Sequence, residues 1–255
     1  MREILKATAL NKSFGLIRAI TDVEFSINRG EITALIGDNG AGKSTIVKLL
    51  SGVIRADSGF LEVNGQPVDL KKYSVNMARS LGIETVYQER SLGEKQPLWR
   101  NVFVGRHLRN AFGFIDIKKE KNITHSILKK SIGLKGLGVS ADANVSSLSG
   151  GERQALAISR AMHFESVLTI LDEPTTALAV KEVDKVLRFI RAIPESGGSA
   201  LFISHNLHHV HEVADRFLFV DRGRIAFESD RSRMSVKQLI DKLAELSGSG
   251  NVTLT

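Results

Sequence analysis

Ile32-Thr33-Ala34-Leu35-Ile36-Gly37-Asp38-Asn39-Gly40-Ala41-Gly42-Lys43-Ser44-Thr45 is the stretch on which the fold turns. Ile32 to Ile36 reads as a strand buried on both faces, the pattern of a parallel sheet covered on its two sides. Gly37 to Ser44 satisfies G-x-x-x-x-G-K-[ST], and Ser44 to Leu50 continues at helical spacing. Strand, glycine loop and helix in that order form a phosphate cradle: the glycines let backbone N–H groups turn inward, and the helix N-terminus adds favourable partial charge. Lys43 is expected to reach the β- and γ-phosphates of a bound nucleotide. The Ser44 hydroxyl is expected to bind Mg2+.

Working outward, two more buried strands are predicted, Val167 to Leu171 and Ala200 to Ile203. The first runs into Asp172-Glu173-Pro174. A carboxylate at the end of a neighbouring strand lies beside the phosphate loop and can hold Mg2+ through water, a role that falls to Asp172. Glu173 is then placed to orient or deprotonate an attacking water. An Asp-Glu pair alone is equally a solvated turn; the upstream phosphate loop decides between the two. Leu148-Ser149-Gly150-Gly151-Glu152-Arg153-Gln154 opens another helix, since Ala155, Ile158, Ala161 and Met162 share one face. Ser149 as N-cap explains that start by itself, yet it is also a second helix N-terminus suited to phosphate.

The phosphate loop, Leu-Ser-Gly-Gly-Glu and Leu-Asp-Glu-Pro in this order resemble the ABC transporter ATPase family over roughly Ile4 to Glu228. The resemblance implies a P-loop NTPase α/β core with a mainly parallel sheet, a small antiparallel layer and an inserted helical subdomain. It implies ATP and Mg2+ as cofactors, with Gly37 through Thr45 on the nucleotide. Gln88 in Val86-Tyr87-Gln88-Glu89 looks like the glutamine that senses Mg2+ and the γ-phosphate and connects to a transmembrane partner. His205 in Ile203-Ser204-His205-Asn206 looks like the histidine at the γ-phosphate. Phe14 stands where the family places an aromatic that stacks on adenine, or is a core anchor. Family members dimerise head to tail, so Ser149, Gly150 and Gly151 would contact ATP held by a second copy.

One departure concerns Thr175-Thr176-Ala177-Leu178-Ala179, where Ala179 replaces the second Asp that many members use to link the two sites. The stretch Ala177-Leu178-Ala179-Val180-Lys181-Glu182 together with Gly-Asp-Asn-Gly-Ala-Gly-Lys-Ser-Thr looks like the ATPases of bacterial monosaccharide importers of the ribose and fructose type. Many of those fuse two nucleotide domains; one loop and one signature here imply a single-domain form working as a homodimer with permease subunits and, indirectly, a solute-binding protein.

The remaining chain constrains function by exclusion. There is no Cys, so disulfides and thiolate metal sites are out. Apolar runs are strand-length, well under the roughly 20 residues that cross a bilayer, and the N-terminus has no apolar leader, so a cytoplasmic, soluble protein is expected; the family resemblance implies that it sits peripherally on the inner membrane face. The excess of Lys and Arg, net +7, comes without a basic block interleaved with aromatics, and no nucleic-acid partner is expected. The alternative, a soluble ABC ATPase acting on nucleic acid or ribosomes, usually contains tandem nucleotide domains or a long coiled-coil insertion, and neither is visible here. A small-molecule kinase leaves the signature unexplained. His205, His208, His209 and His211 read as helix-surface imidazoles rather than a zinc site.

Two hairpins, Gly59 to Val68 around Asn64-Gly65 and Phe217 to Phe227 around Asp221-Arg222-Gly223, are predicted to form the antiparallel layer. Within one ABC domain spanning 1–255, residues 1–87 and 163–232 are expected to make the α/β core. Residues 88–162 would be the helical subdomain and 233–255 a C-terminal helix and frayed tail.

Overall fold

The computed structural model describes residues 3–87, 92–131, 140–164 and 166–248. Its centre is a six-stranded sheet of β3 (Ile32–Ile36), β6 (Ile83–Val86), β7 (Leu168–Asp172), β8 (Ala200–Ile203), β9 (Arg216–Asp221) and β10 (Arg224–Asp230), in the order β10-β9-β3-β8-β7-β6. β3, β6, β7, β8 and β9 are parallel, and only β10 runs the other way. All five residues of β3 are buried, yet they alternate: Leu35 joins the core on one side, Ile32, Ala34 and Ile36 the core on the other. That is how a sheet covered on both faces reads.

The first of these cores is closed by a four-stranded antiparallel sheet, β2-β1-β4-β5, made of β1 (Glu3–Phe14), β2 (Ile17–Asn28), β4 (Ser58–Val63) and β5 (Gln66–Pro67). Between the sheets lie α1 (Lys43–Leu50), with Ile46, Val47, Leu49 and Leu50 buried, and α2 (Val75–Ser80). The second core lies under α6 (Val180–Glu195), α7 (Leu207–Val213) and α8 (Val236–Gly248). A third cluster, built by Leu98, Val102, Phe103, Ile127, Leu128, Val145, Leu148 and Leu156, belongs to α3 (Leu98–Phe103), α4 (Ile117–Ser131), α5 (Gly150–His163) and their connections. α5 serves two of the cores: Leu156 faces the third cluster, Ala157 and Ile158 the second.

One expectation about the strands is corrected. The hairpin around Asp221-Arg222-Gly223 does not join the antiparallel layer; β9 pairs in parallel with β3, and β10 forms the edge of the central sheet. Phe217, Leu218, Phe219 and Val220 are all buried, and a half-solvated antiparallel strand could not have hidden both faces. Most of the antiparallel layer comes instead from β1 and β2, whose pairing shifts register between Ala7 and Leu10 and again around Lys12. No helix among the described residues is long and apolar enough to cross a membrane.

Candidate functional site

β3 delivers the chain into the phosphate loop, and the loop hands it to α1. Gly37 lies against β9: a Cβ there would stand 2.3 Å from the Val220 carbonyl oxygen. Gly42, immediately before α1, has φ of 113°, which a side chain would strain. Lys43 is buried, and its Nζ donates to the carbonyls of Gly37 at 2.6 Å and Asp38 at 2.8 Å. Burial lowers its pKa, opposed by the carboxylates of Glu173, Asp38 and Asp172. The ammonium is thus held inside the loop by its own backbone.

In front of the loop opens a cleft of about 520 Å3. Of the residues singled out in the sequence, Asn39, Gly40, Gly42, Lys43, Ser44, Thr45, Asp172, Glu173 and His205 line it. Gly37, Asp38 and Ala41 form the loop's backing, and Ala41 N–H donates to the Asp38 carbonyl. Asp38 also accepts a hydrogen bond from the Ser247 hydroxyl near the end of α8. Phe14 lies outside the cleft lining, paired across the β1–β2 turn with Ile17, which does line it. Its ring is half exposed, with the Lys12 ammonium 5.6 Å from its centroid, so it is not a core anchor. Gln88 lies outside the described residues.

Asp172 closes β7, and burial raises its pKa against the pull of Lys43. The Ser44 hydroxyl and the Asp172 carboxylate, oxygen donors on one cleft, are the chemistry Mg2+ prefers. Glu173 follows at φ 51°, a backbone conformation that costs a non-glycine residue on the order of 1 kcal/mol. It is pinned there by its N–H donating to the Ile203 carbonyl, at 3.0 Å. Burial raises its pKa, opposed by His205 and by the Thr176 hydroxyl, which donates to Oε2 at 3.2 Å. Its Oε1 lies 3.2 Å from His205 Nε2 but is buried without an aligned hydrogen bond. A strained, largely dehydrated carboxylate beside an imidazole is a group whose proton affinity exceeds that of ordinary glutamate. Of the other imidazoles in that stretch, His209 meets the Thr175 hydroxyl and His211 the Met234 carbonyl. Among the described residues no cluster of three or more His, Asp or Glu could hold a metal ion by itself.

Ser149, Gly150 and Gly151 do not line this cleft. Ser149 caps α5: its Oγ accepts from Glu152 N–H at 3.3 Å, and Glu152 Oε2 accepts from Ser149 N–H at 2.9 Å. Both glycines are pressed onto the start of α6. A Cβ at Gly150 would stand 2.9 Å from Leu178 Cδ2, and one at Gly151 2.7 Å from Glu182 Cβ. Glu182 also accepts from Ala179 N–H at 3.3 Å, half of a capping box whose other half Ala179 has no oxygen to make. The Ser149 hydroxyl, then the Gly151 N–H, hold the Glu182 carboxyl below the usual range. A smaller cavity of about 250 Å3 separates Gly150 and Gln154 from Glu173 and Thr176.

Four residues escaped the sequence reading. Arg18 on β2 and Arg222 with Gly223 in the β9–β10 turn line the phosphate cleft, and Glu182 touches the signature. The turn was legible only as a turn; nothing local says which loop it lies against.

The family model described as ABC transporter matches residues 20–176. The xylose/arabinose import ATP-binding protein XylG of Sulfolobus acidocaldarius is 38% identical over 97% of this chain and 96% of its own length. The fructose import ATP-binding protein FrcA of Rhizobium meliloti is 39% identical over 87% of this chain and 86% of its own. The ribose import ATP-binding protein RbsA of Hahella chejuensis is 32% identical over 95% of this chain, which spans only 47% of that relative's length. Among solved structures, a nucleotide-free ATP-binding cassette from an ABC transporter superposes with a TM-score of 0.80 at 25% identity, covering 96% of this chain and 99% of the other. A dimeric cassette in a post-hydrolysis state with ADP and phosphate shares the fold, with a TM-score of 0.74 at 20% identity over 89% of this chain and 98% of its own.

Proposed function

The chain belongs to the ABC transporter family, and from that premise we propose that it is the ATP-hydrolysing subunit of a monosaccharide importer, working as a homodimer beneath permease subunits. The observation that carries the reading is the convergence of Lys43, Ser44, Asp172, Glu173 and His205, from three separate segments, on one cleft. Relatives named for xylose/arabinose, ribose and fructose import support the solute class. The location that goes with this role is the inner face of the cell membrane, with a solute-binding protein acting through the permease. Residues 88–162 act as the arm that carries the signature, with Gln88 toward the permease; 1–87 and 163–232 hold the nucleotide, and 233–255 form the C-terminal helix and tail.

The reaction is ATP plus water to ADP plus phosphate. Glu173 orients the water and takes its proton, which its raised pKa favours. Lys43 and the loop N–H groups meet the charge on the phosphate oxygens, His205 holds the γ-phosphate side, and Phe14 stacks on adenine beside Ile17. Mg2+, held by Ser44 and Asp172 with Gln88, would neutralise the phosphates. Ser149, Gly150 and Gly151 complete the site of the second copy.

Glu173→Gln should slow turnover about a thousandfold while an ATP-loaded dimer accumulates on gel filtration. Turnover left intact would remove Glu173 from this role. Because burial raises the Glu173 pKa, the acid limb of the rate profile should begin above the ordinary glutamate range. Affinity purification from the native host should bring down a polytopic membrane protein. Nucleic acid or ribosomes in its place would favour the soluble alternative.

A further inference from the structure

The β9–β10 hairpin turns through two residues, Arg222 and Gly223, with Asp221 paired directly to Arg224. Both turn residues have positive φ, 44° at Arg222 and 74° at Gly223, the type I′ arrangement that best suits Asn-Gly. Gly223 is there by necessity: a Cβ would stand 2.6 Å from the Ala19 carbonyl oxygen. Arg222 is not. An arginine at that φ is strained where asparagine would be at ease, and backbone strain that the surroundings enforce points toward use.

The turn is also fixed in space. Gly223 N–H donates to the Ala41 carbonyl of the phosphate loop, and Thr21 N–H on β2 donates to the Gly223 carbonyl, each at 2.8 Å. Arg222 is therefore rooted between the phosphate loop and the β2 wall, and it lines the nucleotide cleft together with Arg18. Its guanidinium is largely exposed, and the one carboxylate within ion-pair range among the described residues, Asp221, is 4.0 Å away, past hydrogen-bond reach. Lys43, by contrast, is buried deep in the loop.

We propose that Arg222 is a nucleotide-binding residue of this chain, its guanidinium closing on the polyphosphate of the ATP held by the same subunit's loop, with Arg18 as a second cation lining the same cleft. A planar fork with up to five donors suits phosphate oxygens, which it can meet bidentately. The inference rests on the phosphate loop being the ATP site, as proposed above.

Arg222→Asn tests it, because Asn relieves the turn rather than damaging it. In the full-length chain, binding of ADP, a non-hydrolysable ATP analogue and adenosine would be measured by calorimetry alongside the unfolding midpoint. The expected result is a roughly fivefold to tenfold loss for the two nucleotides, no change for adenosine, and a midpoint equal to or above that of the parent. Raising the salt concentration should narrow the gap between parent and variant. Arg222→Lys should fall between them. Nucleotide affinities that stay at the parent's, or an adenosine affinity that falls with them, would overturn the inference. Lys43→Ala in the same titration separates the two layers. Loss of binding there with none in Arg222→Asn removes only Arg222; parental binding in Lys43→Ala removes the loop as the ATP site.

Discussion

Two helices of this molecule begin on glycines suited to an anion, and the chain treats them in opposite ways. α1 starts behind Gly42 with no side-chain cap and no acidic residue in its first turn; the charged group at hand is Lys43, a cation. α5 starts behind Ser149 with a full capping box, Glu152 in its first turn, and a second carboxylate, Glu182, laid across its glycines from α6. A carboxylate near a helix N-terminus stabilises it by roughly 0.3–1 kcal/mol, so α1 forgoes a stabilisation that α5 takes twice. The first terminus is left open for a ligand and equipped with the charge to bind it. The second is satisfied by its own chain, and the arginine beside it, Arg153, is engaged with the Leu148 carbonyl and Glu94, so a phosphate arriving there must bring further neutralising partners. On the proposed function, those are the Lys43 and Mg2+ of the other subunit.

The comparison breaks first at Lys43. Lys43→Ala should weaken ATP binding and turnover about a hundredfold or more, because the open terminus loses its cation. Retention of activity within a few fold would mean that α1 needs no such charge. Ser149→Arg should then separate the termini. Bound nucleotide in the monomer should match the parent, while ATP-driven dimerisation in a Glu173→Gln background and steady-state turnover fall by about tenfold to a hundredfold. Nucleotide affinity that drops along with dimerisation would place Ser149 at the chain's own cleft. Gly151→Ala is a milder version of the same test, since the added Cβ meets Glu182 rather than the nucleotide.

The open terminus was legible in sequence because everything that makes it is local: an apolar strand, glycines at fixed spacing, a lysine, then a helix. Asp172 and Glu173 were legible because they end a buried apolar strand in a chain that carries a phosphate loop, although β8 lies between that strand and β3. The capped terminus was half legible. Ser149 and Glu152 stand three apart, which announces the box, but Glu182 reaches Gly151 from another helix, and no spacing encodes that. Arg222 was hidden for the same reason, since its turn is fixed by hydrogen bonds to Ala41 and Thr21, far back in the chain. The placement of β9 had a local signal that the hairpin reading overrode: Phe217-Leu218-Phe219-Val220 is unbroken apolar sequence, the mark of a strand buried on both faces. β1 and β2 left no such mark, because register shifts interrupt their alternation.

The smallest expected effect is the sharpest probe of the contrast. In the single subunit, the Ser149 hydroxyl and the Gly151 N–H, the groups assigned to the partner's γ-phosphate, hold the Glu182 carboxyl below its usual range. A hydroxyl has one proton and an amide one hydrogen, so neither can serve Glu182 and a phosphate together. Two anions a few ångströms apart also repel by about 1 kcal/mol even in water. Glu182 therefore has to swing away, or share its donors poorly, whenever the dimer closes on ATP. Glu182→Gln keeps an oxygen for Ala179 N–H and keeps the volume against Gly151, while it removes the charge and turns the second acceptor oxygen into a donor that no longer holds the Ser149 and Gly151 hydrogens. In the Glu173→Gln background it should tighten ATP-driven dimerisation by roughly threefold to tenfold, measured by sedimentation at fixed ATP, with nucleotide affinity of the monomer unchanged. If Glu182 serves only to cap α6, the dimer constant should stay put or weaken, since glutamine is the poorer partner for a helix N-terminus. The sign of that one shift decides whether the second terminus is merely stabilised by its own carboxylate or competes with ATP for it.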